Sequence, residues 1–315
     1  MRAAVEKRKL FSAVLPARPG RLRAAGVLGL NGRNMNVLIR WNPKPLYRLV
    51  DDKLATKELC EAAGLAVPRT FAVVDHPVQV RRLDRLIGAR EEFVVKPVRG
   101  AGGRGVMIIA GRRGEDYLAV GERAISPEAM RYHLLEILGG SYSIGGRADR
   151  AMIEQRIIGH PALAALSGGG TADVRIVLYR GRPVMAMLRL PTAASAGRAN
   201  LHQGGIGVGL DLRSGTGVAA VWNGRIVDRH VDTGRPIGDI AVPAWAEVLA
   251  AARKLAAVIG LGYLGADIVL DDQARPIVLE ANGRPGLSIQ LANRGGLMKK
   301  IKDVDAGAPE RPGIE

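Results

Sequence analysis

FVVKPVRGAGGRGV, Phe93 to Val106, sets a single lysine, Lys96, ahead of a loop holding Gly100, Gly102, Gly103 and Gly105. Three architectures use such a loop. Gly100, Gly102 and Gly105 satisfy the dinucleotide fingerprint G-x-G-x-x-G, which needs a strand before it and a helix after it. The strand is there in Phe93, Val94 and Val95, but Val106-Met107-Ile108-Ile109 follows, and that run favours a second strand. A P-loop needs Gly-Lys-Ser/Thr at its end, and Val106 stands in place of the lysine. The third architecture is a glycine-rich hairpin closing over a nucleotide, with a lysine on the adjoining strand to pair with phosphate oxygens. A hairpin that holds no ligand is the plain alternative, and the rest of the chain decides between them.

At 315 residues the chain is long enough for two or three subdomains, and its 47% hydrophobic and 24% charged residues are an ordinary globular balance. No run reaches the length of a membrane span. The basic N-terminus carries an apolar stretch only from Leu10 to Leu15, which reads as an amphipathic segment and not as a signal sequence. One cysteine, Cys60, excludes a disulfide framework and a cysteine zinc site. It lies in an alanine-rich helical stretch, reads as a core thiol, and fits a cytoplasmic protein. The net charge of +16 invites a nucleic-acid reading. Against it, aromatics are only 4%, and the arginines are scattered with no block longer than Lys7-Arg8-Lys9. No nucleic-acid partner is expected. A basic nucleic-acid-binding protein would bind DNA or RNA in a strongly salt-dependent way without ATP.

Helical periodicity covers Asp51 to Gly64, with Asp51 or Asp52 as cap and Gly64 as C′ residue, and again from Trp245 to Gly260. Residues 77–86 and the charged stretch between the glycine loop and Leu138 also read as helical. Strands are predicted at Thr70–Val74, Ala151–Glu154, Val174–Tyr179 and Pro183–Leu190. Two more, in YLGADIVLDD and RPIVLEAN, are joined by an Asp-Asp-Gln-Ala turn. Mixed helices and hairpins indicate α+β subdomains: an arm over 1–50, a first subdomain with the hairpin over 51–152, a second over 153–302 and a loose tail over 303–315.

The sharpest constellation is in GADIVLDDQARPIVLEANGRPG. Glu280 and Asn282 are two apart on one strand and so share a face, and pairing with the preceding strand brings Asp267 beside them. Two carboxylates and an amide oxygen are hard ligands of the kind Mg²⁺ takes, and acids set among Ile268, Val269, Val278 and Leu279 need partners.

With hairpin lysine and acidic strands both in view, the chain resembles the ATP-grasp superfamily of carboxylate–amine ligases, and within it the alpha-L-glutamate-ligase-like branch. The resemblance runs in order through RNMNVLIRWNPKPLYRLVDDKLATKELCEAAGLAVPRT, FVVKPVRGAGGRGV, MIEQRIIGH, TADVRIVLYRGRPVMAMLRLP, GRANLHQGGIGVG and GADIVL…VLEANGRPGLSIQLAN. It implies an ATP-grasp fold of two α+β subdomains clasping ATP. Lys53 and Lys96 would reach the phosphates under a lid formed by Gly100–Gly105. Glu154, Gln155 and Ile157 would line the adenine, and Asp173 the ribose. Arg175, Arg189 and Asn200 would face the γ-phosphate and an acyl phosphate. Asp267, Glu280 and Asn282 would hold Mg²⁺, normally two ions, with Mn²⁺ as an alternative.

The implied reaction activates a substrate carboxylate as an acyl phosphate, which an amine then attacks. Such phosphoryl transfer is mostly positioning and charge neutralisation, which suits a chain without a catalytic triad. Relatives often carry a larger domain before the first lysine, where this chain has about 50 residues. Some place an arginine two positions before the metal aspartate, where this chain has Gly265, so Arg175 or Arg189 is expected to supply that charge. His202 is the one histidine to watch, either touching the acyl acceptor or serving as a structural loop histidine; the other four read as surface or structural. The sequence leaves open an amino acid, peptide, small molecule or sugar-linked carboxylate as substrate, a nucleotide-binding regulator without turnover, and whether the chain forms a homo-oligomer.

Overall fold

The computed structural model describes residues 19–167, 170–238 and 240–307. The N-terminal amphipathic segment with Lys7-Arg8-Lys9, and most of the expected tail, lie outside them. Two antiparallel sheets form the frame. The smaller contains β1 (Thr70–Val74), β2 (Glu92–Pro97), β3 (Met107–Arg113), β4 (Asp116–Ala119), β5 (Ala124–Ile125) and β6 (Ala151–Glu154), in the order β1-β6-β2-β3-β4-β5. The larger contains β7 (Asp173–Tyr179), β8 (Arg182–Leu190), β9 (Ile206–Leu210), β10 (Gly217–Trp222), β11 (Arg225–Val227), β12 (Tyr263–Leu270) and β13 (Pro276–Asn282), in the order β11-β10-β9-β8-β7-β12-β13. This is the expected α+β class.

Helix α1 (Lys53–Ala62) starts at Asp52, whose Oδ1 accepts from the N–H groups of Leu54 at 3.1 Å and Ala55 at 3.2 Å. It ends before Gly64, whose φ of +68° gives the left-handed turn that glycine adopts without strain. Its buried stripe is Lys53, Thr56, Lys57 and Cys60, so helical spacing directs two lysines inward together. Burial pushes the Cys60 thiol up to about 11, as befits an inert core cysteine. Val50, Cys60 and Leu65 share a core with the larger sheet and with α3 (Trp245–Ile259), so the helix that the sequence grouped with the glycine hairpin packs on the opposite sheet. Helix α2 (Pro127–Leu138) covers the smaller sheet through Met130, Leu134 and Ile137.

β7 and β12 are buried at every position, because the larger sheet is covered on both faces. α3 takes one face. On the other, Val177, Tyr179, Met185, Met187 and Tyr263 pack under Leu28, Val37 and Leu38 and under α4 (Leu297–Asp305). Residues 19–51, placed in the expected arm, pack onto this face. They are largely helical and are part of this core, with Asn42 Nδ2 donating to the carbonyls of Tyr263 at 2.8 Å and Gly283 at 3.1 Å.

Four further sequence readings are corrected. The strand expected at Val106–Ile109 is β3, but the charged stretch after it, expected to be helical, continues β3 to Arg113, adds β4 and β5 toward the sheet edge, and becomes helical only at Pro127. β9, β10 and β11 were not foreseen: Gly207 and Gly209 interrupt the side-chain pattern of β9, β10 is mostly small apolar residues, and β11 is only three residues long. The 77–86 region is two short helices, Pro77–Val80 and Leu83–Ile87. The tail is helical to Asp305.

Candidate active site

A cleft of about 740 Å³ opens between the two sheets. Every site residue expected from the sequence lines it except Gly105, which sits at the base of the hairpin.

Its floor continues the apolar face just described. Along β7, Asp173 and Arg175 point the same way as Val177 and Tyr179, so one strand face changes from core to cleft within two residues. Sheet register then sets the charges against each other. Arg175 lies opposite Asp267, and Asp173 opposite Arg189. The Arg175 guanidinium donates through Nε and Nη2 to both oxygens of Asp267. Arg189 donates through Nε to Asp173 at 2.5 Å and reaches Asp267 diagonally through Nη2 at 2.8 Å. All four residues are at most 9% exposed. Two cations and two anions thus close a buried quartet.

Burial alone would raise the Asp267 carboxyl, but Arg175 and Arg189 outweigh it and hold the group at about 2. Asp173 has one guanidinium and a carboxylate neighbour, and burial pushes it up to about 6 against the pull of Arg189. Both guanidiniums are committed to these acids. Arg175 and Arg189, expected to replace the charge missing at Gly265, line the cleft while paired with these acids.

β12 and β13 pair as the sequence implied, with Asp267 opposite Glu280 and Gly265 opposite Asn282, across a bulge that leaves Leu279 unpaired. Glu280 faces the cleft and meets Lys53 Nζ at 3.5 Å; Lys53 also donates to the Gly100 carbonyl at 2.6 Å. Asn282 Oδ1 accepts from the Arg284 N–H at 2.8 Å. Lys96 and Glu154, assigned separately to phosphate and adenine, are joined at 2.5 Å. Lys57, which the sequence reading did not single out, holds the other Glu154 oxygen at 2.9 Å; burial lowers its pKa, with Glu154 opposing. The α1 stripe was the signal that could have found it. Gln155 is exposed and accepts from the Arg69 N–H, whereas Ile157 is buried on the linker between the sheets.

The glycine hairpin spans the gap. Gly102 and Gly103 have φ values of +67° and +71°. Asn200 Nδ2 and Gln203 Nε2 each donate to the Gly102 carbonyl at 2.8 Å, and Arg198 Nη1 donates to Gly103 at 3.3 Å. Asn200 is thus engaged by the hairpin tip, and Arg198 and Gln203 are partners the sequence did not reveal. At the base, His133 Nε2 lies 3.0 Å from the Gly105 carbonyl. His133 and His230 are buried and structural; His202 lines the cleft.

Glu280 presents hard oxygens to the cleft, and Asn282 Oδ1, which accepts one N–H from Arg284, keeps a lone pair for Mg²⁺; the Asp267 oxygens are more heavily engaged, by the guanidiniums of both Arg175 and Arg189. Among the described residues no group of three or more His, Cys, Asp or Glu could hold a metal by itself. Phosphate oxygens would have to complete the shell.

No helix among the described residues is long and apolar enough to cross a membrane. No curated protein matches the chain. Among solved structures, D-cycloserine synthetase DcsG is similar at 17% identity over 84% of this chain and 73% of its own, with a TM-score of 0.50. The RimK domain protein ATP-grasp from Sphaerobacter thermophilus DSM 20745 is similar at 17% identity over 84% of this chain and 70% of its own (TM-score 0.46). The ATP-grasp ligase PsnB complexed with minimal precursor is similar at 18% identity over 84% of this chain (TM-score 0.44), and this chain spans 63% of its length. Residues 32–306 match the family described as sugar-transfer associated ATP-grasp. The match takes in the lysines, the hairpin, the buried quartet and the acidic strands, and the chain belongs to that family.

Proposed function

We propose that the protein is an ATP-dependent carboxylate–amine ligase. The carrying observation is that one cleft gathers two lysines, a glycine hairpin and the Glu280–Asn282 oxygen pair around a neutralised quartet. Lys53, beside the hairpin carbonyl of Gly100 and 3.5 Å from Glu280, and Lys96 on β2 would take the phosphates of ATP. Glu154, between Lys57 and Lys96, fixes the direction in which Lys96 points. Mg²⁺, held by Glu280 and Asn282, would neutralise phosphate charge. A substrate carboxylate oxygen attacks the γ-phosphorus, ADP leaves, and an acyl phosphate forms. An amine then attacks the acyl carbon, loses its proton, and inorganic phosphate departs as the amide bond is made. No protein nucleophile is needed, and the site offers fixed charges in place of one.

The amine and carboxylate partners fit an amino acid, a peptide or a small molecule. The family's sugar-transfer association favours a sugar-linked or cell-envelope carboxylate as the second reading. Trapping by hydroxylamine tests the intermediate. A carboxylate substrate with Mg·ATP and hydroxylamine should give a hydroxamate in stoichiometric balance with ADP. ADP released by a carboxylate with no hydroxamate would contradict an acyl phosphate.

The lid gives a second expectation. A Cβ at Gly105, where φ is +71°, would stand 2.6 Å from the Tyr142 ring, and Glu136 fixes that ring through its hydroxyl at 2.7 Å. Gly105→Ala should weaken ATP binding about tenfold, from left-handed strain of about 1–2 kcal/mol with steric overlap added to it. Gly102→Ala meets no atom within 4 Å and should carry the backbone strain alone. Fluorescent-nucleotide titration of both variants checks the order.

A further inference from the structure

Just past the Glu280–Asn282 pair, the chain makes a tight turn that the sequence reading did not single out. Arg284 lines the cleft from this turn. Its backbone N–H is bound by Asn282 Oδ1, and the next carbonyl, that of Pro285, accepts from the buried Arg33 at 3.0 Å. Gly283 admits no side chain, since a Cβ there would stand 2.8 Å from Tyr47 and 3.0 Å from Val50. Asn42 holds the Gly283 carbonyl. Residues 33–51 therefore brace this turn from four positions.

The guanidinium is oriented as firmly as its backbone. It lies over the Tyr47 ring at 3.8 Å from the centroid, and Nη1 donates to Asp51 Oδ1 at 3.0 Å. A planar guanidinium stacked on a ring and pinned along one edge keeps its other edge in a fixed direction. Nε and Nη2 have no partner among the described residues, and the Arg284 side chain is 47% exposed. Every other arginine on the cleft floor is spent in the quartet. Gly265, opposite Asn282, has no room for a longer side chain, because its Cβ would stand 2.9 Å from Pro285. Arg284 is the pre-oriented cation at the outer end of the cleft.

We infer that Arg284 is a specificity-determining residue that grips a second anionic group on the carboxylate substrate, apart from the carboxylate that is activated. The substrate class is then a dianion, with the reacting carboxylate inward toward Glu280 and Asn282 and the other anion outward on Nε and Nη2. Asp51 and Tyr47 act as positioning residues for that grip. This inference rests on the ligase reading.

The test uses hydroxamate formation from Mg·ATP, hydroxylamine and a set of diacids, succinate, glutarate and adipate, each against its monoamide. In the wild type, kcat/KM for at least one diacid should exceed that for its monoamide by about 30-fold or more, as expected for a charge-assisted bidentate contact. Arg284→Gln should collapse that ratio to near two, the statistical advantage of two equivalent carboxylates. Asp51→Asn should lower it partially, and Arg284→Lys should retain part of it. A ratio taken within one variant cancels any general loss of folded enzyme, so a merely structural arginine would leave it unchanged. Equal turnover of diacid and monoamide in the wild type, or a ratio unmoved by Arg284→Gln, would overturn the inference while the ligase reading stands. A higher KM for ATP in Arg284→Gln with the ratio preserved would overturn it too and make Arg284 a phosphate ligand. Hydroxamate from none of these diacids would overturn the inference for a simple dianion, while the ligase reading is judged separately on the wider carboxylate and amine panels.

Discussion

Replacing Arg189 with glutamine is expected to destabilise the protein by about 3–5 kcal/mol, the cost of leaving a buried ion pair without one partner. Asp173 then loses its only hydrogen-bonding guanidinium, and Asp267 keeps only Arg175. The arginine itself is 8% exposed, so water cannot take its place. The deficit should depend on pH in a definite direction. The folded-state pKa of Asp173 lies above its unfolded value, about 6 against about 3.8, so the folded protein holds the proton more tightly. The stability tied to that proton is present below the unfolded pKa and is lost as pH rises through the folded one. Removing Arg189 moves the folded pKa further up. Urea melts should therefore show a larger deficit at pH 7.5 than at pH 5. The double variant Arg189→Gln/Asp173→Asn removes charge from both sides and should recover more than half of the loss at pH 7.5. A deficit independent of pH would mean that packing, not the unpaired carboxylate, carries the effect.

Glu280→Ala should behave in the opposite way, abolishing turnover with little effect on stability. The side chain is a third exposed, and its one ion pair, to Lys53, is of the partly solvated kind worth about 0–1 kcal/mol. Its oxygens face the cleft beside Asn282, where they can meet a cation and phosphate. Loss of one such charge-stabilising group costs about 10²–10³ in rate, or about 3–4 kcal/mol of transition-state stabilisation. The check is kcat/KM alongside a thermal melt: activity lower by at least a hundredfold, with the melting temperature within about 3 °C of the wild type. A variant that melts much earlier would show that Glu280 holds the fold and not the chemistry.

The sequence carried the local parts of this account. The strand–turn–strand of the hairpin, the cap and C′ glycine of α1, and the Asp267–Glu280 pairing all depend on residues within a few positions of one another or on a single hairpin. The quartet was out of reach for the opposite reason. Arg175 meets Asp267 across 92 residues of chain, and only the register of β7 on β12 decides that these two, rather than their neighbours, stand opposite. The same holds for the brace under Arg284, where Asn42, Tyr47 and Asp51 meet a turn more than 230 residues later. Glu154 shows a subtler miss. Its position on a strand was legible, but its bond to Lys96 required knowing that β6 lies between β1 and β2, and this places Glu154 and Lys96 on neighbouring strands. In β9, Gly207 and Gly209 leave one face without side chains, so no polar–apolar alternation could be read there.

The most direct measurement is ADP release from Mg·ATP across paired panels of carboxylates and amines, including acidic peptides and sugar-linked acids, with Glu280→Ala as the control. The ligase account predicts slow release with either panel alone, at least a hundredfold stimulation by a matched carboxylate–amine pair, one amide formed per ADP, and loss of that stimulation in the variant. Tight ATP binding with no stimulation by any pair, or stimulation that survives in Glu280→Ala, would contradict it.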